Sequence, residues 1–165
     1  MPGIALGASV ATYASQNFGA NRRRRIVQGQ GVALAIYGVW WLFALAFTFT
    51  AAPAAIRLIT GSTNPEVLDN ALLYLHMSIP MVPPMAVVVI VRNALQGMKH
   101  TIAPLICSTM ELVCKAVFGF KLVPMLGYPA VCACEPVAWV ICMVFILAAA
   151  YAFRNDFKDT QEAQA

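Results

Sequence analysis

Arg22, Arg23, Arg24 and Arg25 stand directly between two apolar stretches. Four adjacent guanidinium groups cannot enter hydrocarbon, so one membrane segment must end before them and another begin after them. Excess Arg and Lys also stays on the cytoplasmic face during insertion. The rest of the chain suits that reading: 61% of residues are hydrophobic and 11% charged, where soluble domains carry about a quarter charged residues. The expected fold is therefore an all-α integral membrane protein, a polytopic helical bundle. The net charge of +4 does not point to nucleic acid, because four cations lie in one juxtamembrane run and the others are scattered singly.

A helix needs about 20 apolar residues to cross a hydrocarbon core of about 30 Å. Measured against that length, five transmembrane helices are expected, at about residues 3–18, 31–52, 70–94, 102–123 and 130–153. The first is short and rich in Gly, Ala and Ser. The third carries Pro80, Pro83 and Pro84 near its middle, where each proline removes a backbone donor and clashes with the preceding turn, so a kink or break is predicted. Residues 154–165 form a polar tail that is expected to fray.

Real spans must be joined by loops that alternate in cation content. Arg22 to Arg25 lie in one connection, Arg92 and Lys99 in another, and Arg154 and Lys158 in the tail, whereas the intervening connections hold only Arg57 and Lys121. With the cation-rich side inside, the tail is cytoplasmic and Met1 is outside. No positively charged n-region or short cleavable apolar stretch marks a secretory signal. An external start with five spans leads to the expectation that the chain is a fragment of a longer protein.

The fourth segment carries Glu111 and Lys115 four residues apart, hence on one face of a helix, with Ser108 and Gly119 extending the stripe. Insertion scales put the pair at a cost of about 5 to 7 kcal/mol, against about 3 to 6 returned by the Leu, Ile, Val and Phe of the same segment. The stripe should therefore face protein or a water-filled cavity. It could be an ion pair that changes partners during transport, or a static lock between helices. Glu135, in the fifth segment, has no partner on its own helix; it could be a protonatable site, but Glu-Pro is a common arrangement at a helix start, which favours capping or anchoring the helix that Pro136 begins.

Gly3, Gly7, Ala11 and Ser15 repeat every four residues and would let another helix approach closely. Gln16 and Asn17, like Arg92, Asn93 and Gln96, fall where helices meet the interface and should satisfy helix ends. His76 reads as a satisfied buried histidine. Tyr37, Trp40, Trp41 and Phe43 could contact flat organic cations, with packing the simpler explanation. The cysteines all sit in apolar stretches; Cys132 and Cys134 make a C-x-C without a second ligand pair, so neither a metal nor a disulfide framework is expected. No H-E-x-x-H, G-x-S-x-G, P-loop or intramembrane aspartate pair occurs, and no enzyme activity is expected.

Residues 7–25, GASVATYASQNFGANRRRR, resemble the helix end and cytoplasmic turn of the multidrug and toxic compound extrusion (MATE) transporters, in which Gln-Asn-x-Gly-Ala precedes a basic stretch. Residues 93–104, NALQGMKHTIAP, are similar to the turn between the tenth and eleventh helices of that family. Glu111-Leu112 and Glu135-Pro136-Val137-Ala138-Trp139 resemble it as well. The resemblance reaches to about Phe153 and implies that the five segments correspond to the eighth through twelfth helices of a twelve-helix, two-lobe antiporter of the plasma (inner) membrane. Such a protein exchanges organic cations or xenobiotics for protons or sodium ions and uses no cofactor. The resemblance further implies Gln16, Asn17, Gly19, Arg92, Asn93, Gln96 and Gly97 as turn-motif residues; the polar stripe, the third intramembrane charge and the aromatic group supply Ser108, Glu111, Lys115, Glu135 and Tyr37 as candidates for the transport cavity. The expected partners are membrane lipids, the N-terminal lobe missing from this chain and the organic cation, and the chain alone is expected not to transport. Sodium-coupled relatives place an acidic residue in the tenth helix; here residues 70–94 have none, and Asp69 lies at the outer end. A non-transporting scaffold, a degenerate gene product and a lipid-linked sugar flippase remain as alternatives, the last requiring more cavity cations than Lys115.

Overall fold

A computed structural model describes residues 2–61 and 64–157. The described residues are almost entirely helical, with no strand among them. The first helix, α1 (Pro2–Gly19), precedes α2 (Arg23–Thr50), a short α3 (Ala52–Thr60), α4 (Pro65–Ser78), α5 (Val82–Gly97), α6 (Ile102–Val117), a four-residue α7 (Val123–Leu126) and α8 (Tyr128–Ala152). A 3₁₀ turn, Ile79–Met81, joins α4 to α5, and a π-helical stretch, Phe118–Leu122, joins α6 to α7. Four of the resulting rods are long and apolar enough to cross a membrane: Arg23–Thr50, Pro65–Gly97, Ile102–Leu126 and Tyr128–Ala152. The Gly- and Ala-rich α1 packs among them without itself having the composition of a span.

Prolines account for both interruptions. Pro80 lies in the 3₁₀ turn, and Pro83 has no N–H for the carbonyl of Ile79. That carbonyl instead accepts from Val82 N within the turn and from Trp41 Nε1 at 2.9 Å. Pro124 likewise has no N–H for the carbonyl of Phe120, and the backbone widens into π-helical bonding around it. Pro136 lies inside α8, eight residues beyond its first. The helix that Glu135 was expected to cap begins instead at Tyr128, after Gly127. That glycine takes φ 67°, ψ −146°, a conformation open to glycine and little else.

Several expected boundaries shift. The arginine run is not a loop: Arg23, Arg24 and Arg25 form the first turn of α2, and the reversal before them takes only residues 20–22. Arginine is a good helix former, so nothing delays the helix once the chain has turned. The expected connection between residues 52 and 70 holds α3, nine residues with Leu58 and Ile59 exposed. At nine residues it is too short to span, so membrane-crossing length gives no sign of it. Asn64 then caps α4, accepting from Glu66 N at 3.0 Å with Pro65 in the first turn. Asp69 consequently lies within α4, on its exposed side. The polar tail starts as a 3₁₀ turn, Arg154–Phe157, with Phe157 packed on the core; residues 158–165 lie outside the described residues.

The α5 helix is the hub and buries Val82, Ala86, Val88, Ile90, Val91, Ala94 and Leu95. It lies parallel to α1, since Gly7 faces Val89 and Asn93 while Gly97 meets Ala11 and Ser15 one level further along. A Cβ on Gly97 would come 2.4 Å from the carbonyl oxygen of Ala11, so the absence of a side chain there is what permits the approach. Because α1 and α5 run in the same direction, their two turns emerge at the same end of the bundle. The end of α8 joins them there, with His100 stacked on Phe153 at 4.3 Å between ring centres. Three cation-bearing segments, around Arg22, Lys99 and Arg154, thus share one end. Arg57 on α3 belongs to the opposite end, one helix length of α2 away.

Candidate functional site

The polar stripe of α6 faces two other helices. Lys115 Nζ lies 3.0 Å from Glu111 Oε1, its neighbour one turn back, and 3.0 Å from Glu135 Oε1 on α8. Glu111 Oε2 lies 3.9 Å from Arg92 Nη1 on α5. The same Arg92 nitrogen donates to Ser108 Oγ at 3.4 Å, and Ser108 donates to the carbonyl of Pro104. Arg92, Glu111, Lys115 and Glu135 therefore form a ladder of alternating charge across α5, α6 and α8. Two cations and two carboxylates leave it formally neutral.

Its depth follows from helix rise. Glu111 and Lys115 lie nine and thirteen residues beyond Ile102, or about 14 and 20 Å at 1.5 Å per residue, on either side of the middle of a 30 Å core. The side chains are neither sealed nor open, at 26 to 38% exposed. Antiparallel packing of α6 on α8 sets this register: Cys142 Sγ approaches the carbonyl of Cys107 at 3.6 Å on one level, and Lys115 meets Glu135 about two turns away. Beside the ladder, an open apolar groove of about 620 Å³ runs along α6 past Met110, Val113, Cys114 and Val117. A second, of about 540 Å³, lies between α4 and α8 and includes His76, Met81 and Pro136. Neither is lined by the charged residues themselves.

The remaining candidates divide by environment. Asn17 is buried, donates through Nδ2 to the Tyr13 carbonyl at 2.8 Å and accepts Arg22 N on its own carbonyl. Asn93 Nδ2 donates to Val89 O at 2.7 Å beside Gly7. Gln16 and Gln96 are exposed, and their carbonyls accept from Ala20 N and Lys99 N. Gly19 has open space around it, whereas Gly97 is pressed against α1. The two turns close alike: Asn21 and Lys99 take φ values of 54° and 67°, and Arg22 N and His100 N each return to a carbonyl five residues back.

Tyr37 is 4% exposed, packed with Val82 and Ala86 and edge-on to Trp40. Its ring lies against Gly3, so its surroundings are those of a packing residue. His76 is exposed rather than buried and stacks on Phe49 at 4.8 Å. Arg92 departs most from expectation. Five residues short of the end of α5, it reaches inward to Glu111 instead of serving the helix terminus. Glu135 departs as well, pairing with a lysine on another helix rather than capping its own. Charge counting was the available signal, since Arg92 and Glu135 are the spare cation and spare anion on either side of the Glu111 and Lys115 pair.

The model of one family, MatE, matches residues 1–120. The chain belongs to the MatE family. This is a family of MATE-type transporters rather than of enzymes. No curated protein and no solved structure matches the chain. The matched residues take in α1 to α6 and three of the four ladder charges; Glu135 on α8 lies beyond them.

Proposed function

We propose that this chain forms one wall of the cavity of a multidrug antiporter, exporting organic cations or xenobiotics in exchange for protons or sodium ions, with its cation-rich end and C-terminus in the cytoplasm of a plasma (inner) membrane. The supporting observation is the ladder itself, within a MatE-family chain. Lys115 is shared between two carboxylates on different helices at equal distance. A proton, a sodium ion or an organic cation arriving at Glu135 or Glu111 competes directly with Lys115 for that carboxylate. Lys115 then keeps the other partner, so loading either acid changes how firmly α6 is held to α8. Because an uncovered charge facing lipid costs several kcal/mol, the 26 to 38% of these side chains left open faces a cavity completed by a second lobe. The apolar groove beside Cys114 suits the hydrophobic body of such a cargo.

The flippase reading, for a lipid-linked sugar, asks for more cations lining the cavity than Lys115 alone. Arg92 adds a second cation to Lys115, but Glu111 and Glu135 balance both. The test is extrusion of an organic cation dye by cells carrying the complete transporter, with Glu111→Gln and Glu135→Gln compared at equal expression. Transport through the ladder requires both variants to slow efflux; unchanged efflux in both reduces the ladder to scaffold.

A further inference from the structure

The two carboxylates of the ladder are not equivalent. Glu111 stands between two cations, with Lys115 Nζ 3.0 Å from one of its oxygens and Arg92 Nη1 3.9 Å from the other. Glu135 meets Lys115 alone, at 3.0 Å. Exposure does not separate them, since the side chains are 27% and 31% exposed. They differ in what each leaves behind when an arriving cation takes it.

If Glu111 is taken, Lys115 keeps Glu135, but Arg92 keeps only the Ser108 hydroxyl at 3.4 Å, because among the described residues no other carboxylate lies within ion-pair distance of it. A guanidinium within a membrane-crossing rod is then left without a counter-ion, which is the costly arrangement. If Glu135 is taken, Lys115 and Arg92 both still face Glu111, and no cation is stranded. Each state carries one more positive charge than the empty ladder; only the second leaves every cation with a carboxylate. The other groups around Glu135 do not alter this. The α5 helix brings Arg92, α6 brings Glu111, Lys115 and the Cys114 thiol, and α4 brings Tyr74 and His76, the latter stacked on Phe49. Lys121 lies six residues beyond Lys115, about 9 Å further out. Glu66 and Asp69 lie beyond Asn70, whose carbonyl meets the Tyr128 hydroxyl about 10 Å outward of Glu135.

We infer that Glu135 is the carboxylate which the transported or coupling monovalent cation occupies, and that Arg92 is a positioning residue that reserves Glu111 for Lys115. This assignment rests on the transport reading above and makes its two acids unequal. Occupancy of Glu135 removes the ion pair between α6 and α8, while Arg92 and Glu111 continue to join α5 to α6. The helix set free is therefore α8, still held to α6 at the level of Cys107 and Cys142.

The probe is dicyclohexylcarbodiimide, an apolar reagent that adds to a protonated carboxyl and leaves a stable N-acylurea. It is applied to the full chain in liposomes, and peptide mass spectrometry separates residues 111 and 135. Glu135 should be labelled about 5-fold more than Glu111, the factor supplied by one partly exposed ion pair. Arg92→Gln should bring the two to parity, and Arg92→Lys should restore the preference. Tetraphenylphosphonium, an organic cation, should protect Glu135 and leave Glu111 as it was. Equal or greater labelling of Glu111 in the native chain overturns the assignment. So does a ratio that Arg92→Gln leaves unchanged, since it would then reflect access rather than charge. A reversed ratio, with dye efflux still slowed by both Glu111→Gln and Glu135→Gln, overturns this assignment alone. Efflux unchanged in both variants, with no protection by tetraphenylphosphonium, overturns the transport reading and the cargo assigned to Glu135 with it.

Discussion

Replacing Lys115 with Met removes the one group that touches both carboxylates. Glu111 then still has Arg92 at 3.9 Å, but among the described residues Glu135 has no other cation within ion-pair distance. Unit charges 4 Å apart attract by about 4 kcal/mol at an effective dielectric constant of 20. Solvent-exposed pairs retain only about 0.2 to 1 kcal/mol, while removing one member of a fully buried pair costs about 3 to 5. With side chains 27 to 38% exposed, Lys115→Met should cost about 1 to 3 kcal/mol, between those limits. The useful feature is the sign of the second step. Adding Glu135→Gln to Lys115→Met removes the stranded carboxylate and should restore about half or more of the loss, whereas Glu135→Gln alone, which leaves the pair with Glu111 intact, should cost about 1 kcal/mol or less. Unfolding by sodium dodecyl sulfate from mixed micelles, followed by circular dichroism, measures all three. If the double variant is less stable than Lys115→Met alone, the carboxylate was not stranded and the ladder as described does not exist.

Trp41→Phe keeps the ring but withdraws the donor from the Ile79 carbonyl at the proline break, and should cost about 0.5 to 2 kcal/mol in the same unfolding titration. Gly97→Ala places a methyl 2.4 Å from a backbone oxygen of α1 and should cost about 1 to 3 kcal/mol, while Gly19→Ala, with open space around it, should stay within about 0.5 kcal/mol. In a background without the five native cysteines, single cysteines at positions 22 and 154 should react with an impermeant maleimide from one side of the membrane and a cysteine at position 58 from the other; labelling of 22 and 58 from the same side would break the topology.

What could be read from the sequence was what depends on one helix at a time. Span length and cation alternation located the apolar rods, because hydrocarbon thickness and the exclusion of guanidinium act on each segment separately. Pro80, Pro83 and Pro84 announced the break between α4 and α5, since a missing N–H is local too. The short α3 was invisible to the same test because nine residues cannot span. The π-helical stretch had a signal in Pro124, four residues beyond Phe120, that span counting ignores.

The ladder was legible only in part because its bonds run between helices. Glu111 and Lys115 share a face of α6 and can be paired from spacing alone. Pairing Glu135 with Lys115 requires the antiparallel register of α6 on α8, which the buried contact between Cys107 and Cys142 helps to set. Drawing in Arg92 requires knowing that α5 is the central helix, so that a residue near its end still points into the bundle. Neutrality supplies the missing constraint. A spare cation and a spare anion on separate helices, flanking an intramembrane pair, each cost more alone than when joined through it. On that ground the four charges stand together as one formally neutral unit across α5, α6 and α8.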